Sequence, residues 1–159
     1  MSNDTGQAEI LDFWFSDRVR PLWFRSTPEF DAEVKQRFEN TWEEARDSKL
    51  SSWEDNPTGA LALVIVLDQF PLNMYREQRL SFSTEAISRQ VAERAIERGF
   101  DAELDMQGRM FLYLPYMHSE NLSDQDRAIA LYEAAGMQEN LRFARHHREI
   151  VRRFGRFPH

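Results

Sequence analysis

The chain of 159 residues contains no cysteine and no long hydrophobic run. Without cysteine, it has no disulfides, thiolate nucleophiles or cysteine-ligated metal centres, as is typical of an intracellular protein. The longest apolar run, Ala60 to Leu67, is eight residues, whereas a membrane-spanning helix requires about 20. The polar segment from Met1 to Gly6 shows no secretory signal pattern. We therefore predict a cytoplasmic protein with no membrane partner.

Glycine-rich phosphate loops and the G-x-S-x-G motif are also missing. The sequence therefore predicts neither a nucleotide-binding loop nor the nucleophile turn of a serine hydrolase. The net charge of −7 and the pI near 5.1 disfavour binding of nucleic acid. The charge is uneven, because residues 142–156 hold six arginines and one glutamate. This basic strip predicts either an anionic ligand or an acidic partner within the protein.

Helix signals dominate the sequence. Thr27-Pro28-Glu29 and Asn56-Pro57 each read as an N-cap followed by proline in the first turn. Ala60–Leu67 is apolar on every side, which favours a buried central helix that Pro71 ends. No alternating strand pattern is convincing. We predict an all-α fold of about seven helices in antiparallel pairs, forming one domain over residues 1–159.

The last predicted helix runs from about Gln138 to Phe154, with Gly155 as its stop. His147 lies there in an apolar stripe, where a histidine is more often a satisfied core residue than a ligand. Three arginines and the final histidine are predicted to bind an anion: Arg148, Arg153, Arg156 and His159. The alternative for Arg148 and Arg153 is that they complement the helix dipole.

The segment Arg109–Glu120, predicted to be helical and otherwise apolar, contains several ionisable residues. Four of its residues share one face at helical spacing: Arg109, Tyr113, Tyr116 and Glu120. Pro115 should kink this helix just before His118. We predict His118 as an acid or base and Glu120 as an anion or second base. In the alternative, Pro115 begins the exit from the helix and His118 bonds a backbone carbonyl.

Asp68, near the end of the central helix, opposes the helix dipole and requires a cationic partner. Three arginines are the candidates: Arg109, Arg148 and Arg153. A buried structural ion pair and a catalytic role both remain open. We predict no cofactor and no metal, because His118 and Glu120 are two residues apart and split across helix faces. A composite metal site is a minor alternative, formed by Asp68, His118, His147 and His159.

Four motifs together resemble a known bacterial family of unknown function, domain-of-unknown-function family 924. They are Ile10-Leu-Asp-Phe-Trp-Phe15, Leu67-Asp-Gln-Phe-Pro71 with Asn73 and Tyr75-Arg76, Arg109-Met-Phe-Leu-Tyr-Leu-Pro115 with Met117-His-Ser-Glu120, and Arg153-Phe-Gly-Arg-Phe-Pro-His159. The resemblance implies an all-α, tetratricopeptide-like compact helical array and no settled activity. The chain departs from the family at Leu72, where arginine is usual. It also stops at His159, whereas the family usually continues with a short tail.

Three functional hypotheses follow. The first is a binding module that holds an anionic small molecule or peptide in a cleft rich in arginine and histidine. Its positive field comes from four arginines, which Asp68 and Glu120 orient: Arg109, Arg148, Arg153 and Arg156. Tyr113 and Tyr116 bind the same ligand through ring stacking and their hydroxyl groups.

The second is a small hydrolase or lyase, in which His118 or His147 is the general base and Asp68 or Glu120 orients it. The third is a buried polar network with a purely structural role.

Overall fold

A computed structural model describes residues 4–157, and every structural statement below concerns that part of the chain. The helical segments in chain order are α1 (Asp4–Trp14), α2 (Pro28–Arg46), α3 (Pro57–Val64), α4 (Phe70–Met74), α5 (Glu85–Glu97), α6 (Met106–Met117), α7 (Leu122–Ala134) and α8 (Gln138–Phe154). A π-helical turn, Ile65–Gln69, joins α3 and α4 into one rod, so the described residues form seven helices and no strand. The predicted all-α class with about seven helices is confirmed.

The rod formed by α3, the π-turn and α4 is the central element of the fold. Its α3 part packs against α1, α5 and α6, and its α4 part packs against α2. By length and composition alone the rod could cross a membrane, but 83% of its 18 residues are buried inside the protein. It therefore serves as the core helix, and its polar residues lie among apolar neighbours.

The predicted helix boundaries agree closely with the structure at several ends. The Thr27 side chain accepts a hydrogen bond from the backbone N–H of Phe30, which caps α2. The last helix spans Gln138–Phe154 as predicted, and Gly155 follows it with a left-handed φ of 71°. Only glycine adopts that conformation readily, and the reversal returns the following residues towards the body of the protein.

The prediction that Pro71 ends the central helix is wrong. Proline has no N–H to offer the Leu67 carbonyl four residues earlier, and its ring would crowd that carbonyl in a regular helix. The π-turn resolves the conflict, because the Phe70 N–H bonds the Ile65 carbonyl five residues back and the helix continues to Met74. The Leu67 carbonyl instead accepts from the Thr84 hydroxyl at 2.6 Å.

We expect Thr84→Val to destabilise the protein by about 2–4 kcal/mol, because the isosteric side chain leaves two buried groups unpaired. The Thr84 hydroxyl donates to the Leu67 carbonyl and accepts from the Trp42 indole N–H at 3.1 Å. Urea denaturation measures the change. Thr58→Val is the matched control, since within residues 4–157 the partner of that exposed hydroxyl is the nearby Asn56 side chain. Equal stability of the two variants would contradict this account of the π-turn.

The C-terminal half of the fold is a sequential helical array. α7 packs against both α6 and α8, and the connecting loops are short, so neighbouring helices run antiparallel. The π-turn contacts α5 and α6. The end of α6 and the start of α5 are therefore held beside the polar residues of the core helix.

Candidate functional site

The site is built on a hydrogen bond between Asp68 in the π-turn and His118 at the end of α6. Asp68 Oδ1 lies 3.0 Å from His118 Nδ1, and the Asp68 side chain is fully buried. Asp68 Oδ2 accepts from Gln69 Nε2 at 3.0 Å. A carboxylate only accepts, so Nδ1 carries hydrogen and Nε2 is the nitrogen left for another molecule. The prediction that an arginine pairs with Asp68 is wrong, because the residue that bonds Asp68 is His118.

His118 forms part of the wall of a cleft of about 620 Å³. The cleft lies between the start of α5, the connection from α6 to α7, and the second half of α8. The residues that line it are Leu72, Phe82, Glu85, Ala86, Arg89, His118, Ser119, Glu120, His147, Ile150 and Phe157. An apolar concave surface with a few convergent polar groups is the usual form of a small-molecule site.

Two groups in this cleft, His118 and Glu85, have raised pKa values. Burial opposes charge on His118, but the adjacent Asp68 carboxylate outweighs it and raises the pKa of His118 above its usual value. Burial also raises the pKa of Glu85 to about 7. The charge of His118 lowers this pKa, and the charge of Asp68 raises it further. The Asp68 carboxylate therefore favours the imidazolium form of His118, and the Glu85 carboxyl group is about half ionised near neutral pH. Such pairs are typical of functional sites.

Two other predicted residues, Glu120 and His147, also line the cleft. The Glu120 carboxylate accepts from the backbone N–H of Phe157 at 2.7 Å, which ties the segment after α8 to the end of α6. His147 Nδ1 donates to the Phe143 carbonyl at 2.7 Å, and its ring lies 5.6 Å from that of Phe157. Burial lowers the pKa of His147. His147 is thus a neutral ring that offers Nε2 as an acceptor.

Three predicted ligand-binding residues on α6 lie outside the cleft lining. Arg109 Nε donates to the Asp101 carbonyl at 3.0 Å. The Tyr113 hydroxyl bonds the Asp101 carboxylate, and the Tyr116 hydroxyl bonds Glu93. These groups satisfy one another within the fold, so the structure does not bring them together as a ligand site.

The predicted arginine rim of α8 does not face the cleft either. Arg148 pairs with Asp126 of α7. Arg153 and Arg156 are exposed, and the Arg153 guanidinium lies 5.8 Å from the Phe154 ring. His159 lies outside the described residues. The basic strip is therefore spread over the protein surface instead of converging on one ligand.

Sequence reasoning missed three polar residues of the cleft: Glu85, Arg89 and Ser119. Glu85 stands in the first turn of α5, where an acid is usual because it complements the helix dipole. Arg89 pairs with Asp124 at 3.3 Å, and Ser119 donates to the same carboxylate at 2.7 Å. Glu85 and Arg89 are an acidic and a basic residue four positions apart on one helix face, and this pattern could have indicated the cleft from the sequence. The same pattern is common on solvated helices, so it does not by itself predict a site.

The composite metal site is not assembled by the described residues. Asp68 and His118 meet, and His147 lies elsewhere on the cleft wall. No group of three or more histidine, aspartate or glutamate side chains within residues 4–157 has an arrangement that would hold a metal ion.

Comparison with known proteins places the chain in a family. The model of a family described as bacterial protein of unknown function (DUF924) matches residues 10–159. The chain belongs to DUF924. A solved structure of a protein of unknown function from Agrobacterium tumefaciens is similar at 36% identity and a TM-score of 0.94, covering 99% of this chain and 89% of that one. No curated protein matches the DUF924 chain. Its tetratricopeptide-like placement stays a prediction.

Proposed function

We propose that this DUF924 protein is a small acid–base enzyme of the hydrolase or lyase class, located in the cytoplasm and acting on a small molecule. The observation that carries the proposal is the hydrogen bond from His118 Nδ1 to the buried Asp68 carboxylate at the wall of an open cleft. That arrangement fixes the ring and its tautomer and leaves Nε2 for substrate, as catalytic histidines require.

The two titratable groups take complementary roles. The Asp68 carboxylate favours the protonated form of His118, and in that form the imidazolium acts as the general acid. Glu85, with a pKa near 7, acts as the general base in its ionised form. Turnover should rise with pH as Glu85 ionises and fall at higher pH as His118 loses its proton. The resulting bell-shaped profile is the expected pH dependence.

The substrate has an apolar body and an anionic group. The side chains of Phe82, Ile150 and Phe157 supply the apolar walls. Arg89, whose pairing with Asp124 is long at 3.3 Å, supplies the anion contact in place of the arginines predicted from the sequence. This keeps the anionic small molecule of the binding hypothesis and adds a reaction to it.

A purely structural network is less well supported than an enzyme. A structural role would be favoured if all the polar groups bonded one another away from any cavity. The groups on α6 that bond Asp101 and Glu93 fit that description. The Asp68–His118 pair does not, because His118 Nε2 has no hydrogen-bond partner among residues 4–157 and the ring borders the cleft.

The test is a turnover screen by NMR with short esters, amides and hydroxy acids at neutral pH. We expect turnover of at least one compound, slowed about 100-fold or more in His118→Asn. Asparagine keeps a donor for Asp68 but cannot carry the transferred proton. His146→Asn is the matched control, since His146 is exposed on α8 and outside the cleft lining. Binding in the cleft without turnover of any compound would favour the binding module instead.

A further inference from the structure

A second, smaller cavity of about 160 Å³ borders His118 as well. It shares Leu72 and His118 with the cleft, so the two spaces meet at these side chains. Its polar wall includes Ser26, Gln69 and Asn73. We call this space the side chamber. It has room for a few water molecules, since each occupies about 30 Å³ in the liquid.

The hydrogen bonds of its two carboxamides fix which of their atoms remain available. Gln69 Nε2 donates to Asp68 and Asn73 Nδ2 donates to Asp31. Both acceptors are carboxylates, which cannot donate, so each amide nitrogen must face its acid. The oxygens of Gln69 and Asn73 are therefore the atoms left to accept hydrogen bonds from an occupant.

The charges around the side chamber are compensated in pairs. Arg76 Nε lies 2.7 Å from Asp31, and His118 is paired with Asp68. The chamber therefore suits a neutral occupant rather than an ion. Such an occupant must donate to the carboxamide oxygens, and water is a small neutral molecule with two donors for them.

The side chamber has its own opening. Phe24, which is 72% exposed, and the exposed Arg76 form part of its wall, and neither lines the cleft. This part of the side-chamber wall is therefore open to solvent and separate from the wall of the cleft.

We infer that the side chamber holds the water molecule that the reaction releases or consumes, and that Gln69 positions this water against His118. The inference rests on the proposed function and takes its lyase branch, the dehydration of small hydroxy carboxylates, because their carboxylate fits the anion contact at Arg89 and their leaving group becomes water. The Glu85 carboxylate removes a proton from the substrate carbon that is next to the substrate's own carboxylate. Those electrons form the carbon–carbon double bond, the C–O bond breaks, and His118 Nε2–H protonates the leaving oxygen as water. Hydration is the same path reversed.

The test uses β-hydroxybutyrate and malate as probes, with the unsaturated product followed in the ultraviolet. Ser26→Leu fills the side chamber, and we expect it to lower kcat about tenfold or more with KM within about twofold. Ala86→Leu, which narrows the cleft, should instead raise KM. Gln69→Met keeps the side-chain volume but removes both the accepting oxygen and the donor to Asp68. It should repeat the kcat loss if Ser26→Leu does not fold, and an unchanged pKa of His118 in an NMR titration would assign that loss to the water contact.

A second readout does not depend on turnover. Water-to-amide cross-relaxation in NMR should detect a long-lived water at the Gln69 carboxamide protons in the wild type, and Ser26→Leu should remove it. Unchanged kcat in both variants would overturn the water chamber, and turnover of esters and amides alone would overturn the dehydration. Either result would leave the acid–base enzyme intact. Absence of turnover with hydroxy acids, esters and amides alike would overturn both.

Discussion

Asp68→Asn is expected to lower kcat about a thousandfold while the fold is retained. Asparagine has nearly the same size, and its oxygen still accepts from Gln69 Nε2. Its amide nitrogen then faces His118 Nδ1, where two donors oppose each other. His118 must present a lone pair at Nδ1 and also loses the negative charge that keeps it protonated. The acid of the reaction is removed without touching the cleft wall.

Two measurements separate this effect from simple damage. NMR titration should show the pKa of His118 lowered in Asp68→Asn, and thermal unfolding should show a cooperative transition in both proteins. Asp126→Asn is the matched control, because Asp126 pairs with Arg148 on the surface and should leave kcat unchanged. A lowered His118 pKa together with wild-type kcat would exclude the Asp68–His118 pair from the chemistry.

The helices were predictable because their signals are local. Capping at Thr27 and the glycine stop at Gly155 depend on residues within one turn, and both are confirmed. The π-turn was not predictable in the same way. Its compensation comes from Thr84, which is 17 residues from Leu67 in the chain. A proline in a helical pattern signals a conflict, but the sequence alone does not say how the fold resolves it.

The candidate site was only partly predictable for a related reason. Asp68 and His118 were each recognised as polar groups in apolar segments, and burial then required them to find partners. Which partner each finds depends on packing, and the excess of arginines on α8 pointed to the wrong cation. Those arginines are neutralised on the surface or left exposed, whereas the cleft uses Arg89. Glu85 was missed because a helix N-terminus explains an acid without any function.

Glu85→Gln is expected to stabilise the protein at pH 8 by about 2–3 kcal/mol. The pKa of Glu85 rises from an ordinary 4.5 to about 7 in the folded protein. Because the pKa is raised in the folded protein, ionisation of Glu85 lowers the free energy of unfolding once the pH exceeds the pKa of the unfolded state. The loss is complete when the pH exceeds the pKa of the folded state. The shift corresponds to about 3 kcal/mol, from which about 0.5 kcal/mol is subtracted for a lost interaction with the N-terminus of α5.

The pH dependence of this stabilisation distinguishes a burial penalty from a packing effect. Below pH 4.5 the carboxyl group is protonated in both states, so wild type and Glu85→Gln should unfold at nearly the same urea concentration. The difference should grow between pH 4.5 and pH 7 and stay constant above that. Glu44→Gln, at an exposed position on α2, should change stability by less than about 0.5 kcal/mol at every pH. A gain from Glu85→Gln that is equal at pH 4 and pH 8 would contradict the assignment of Glu85 as a half-buried base with a pKa near 7. Natural selection tolerates such a stability loss where the carboxylate serves the reaction, which is why the stabilised variant should also be the inactive one.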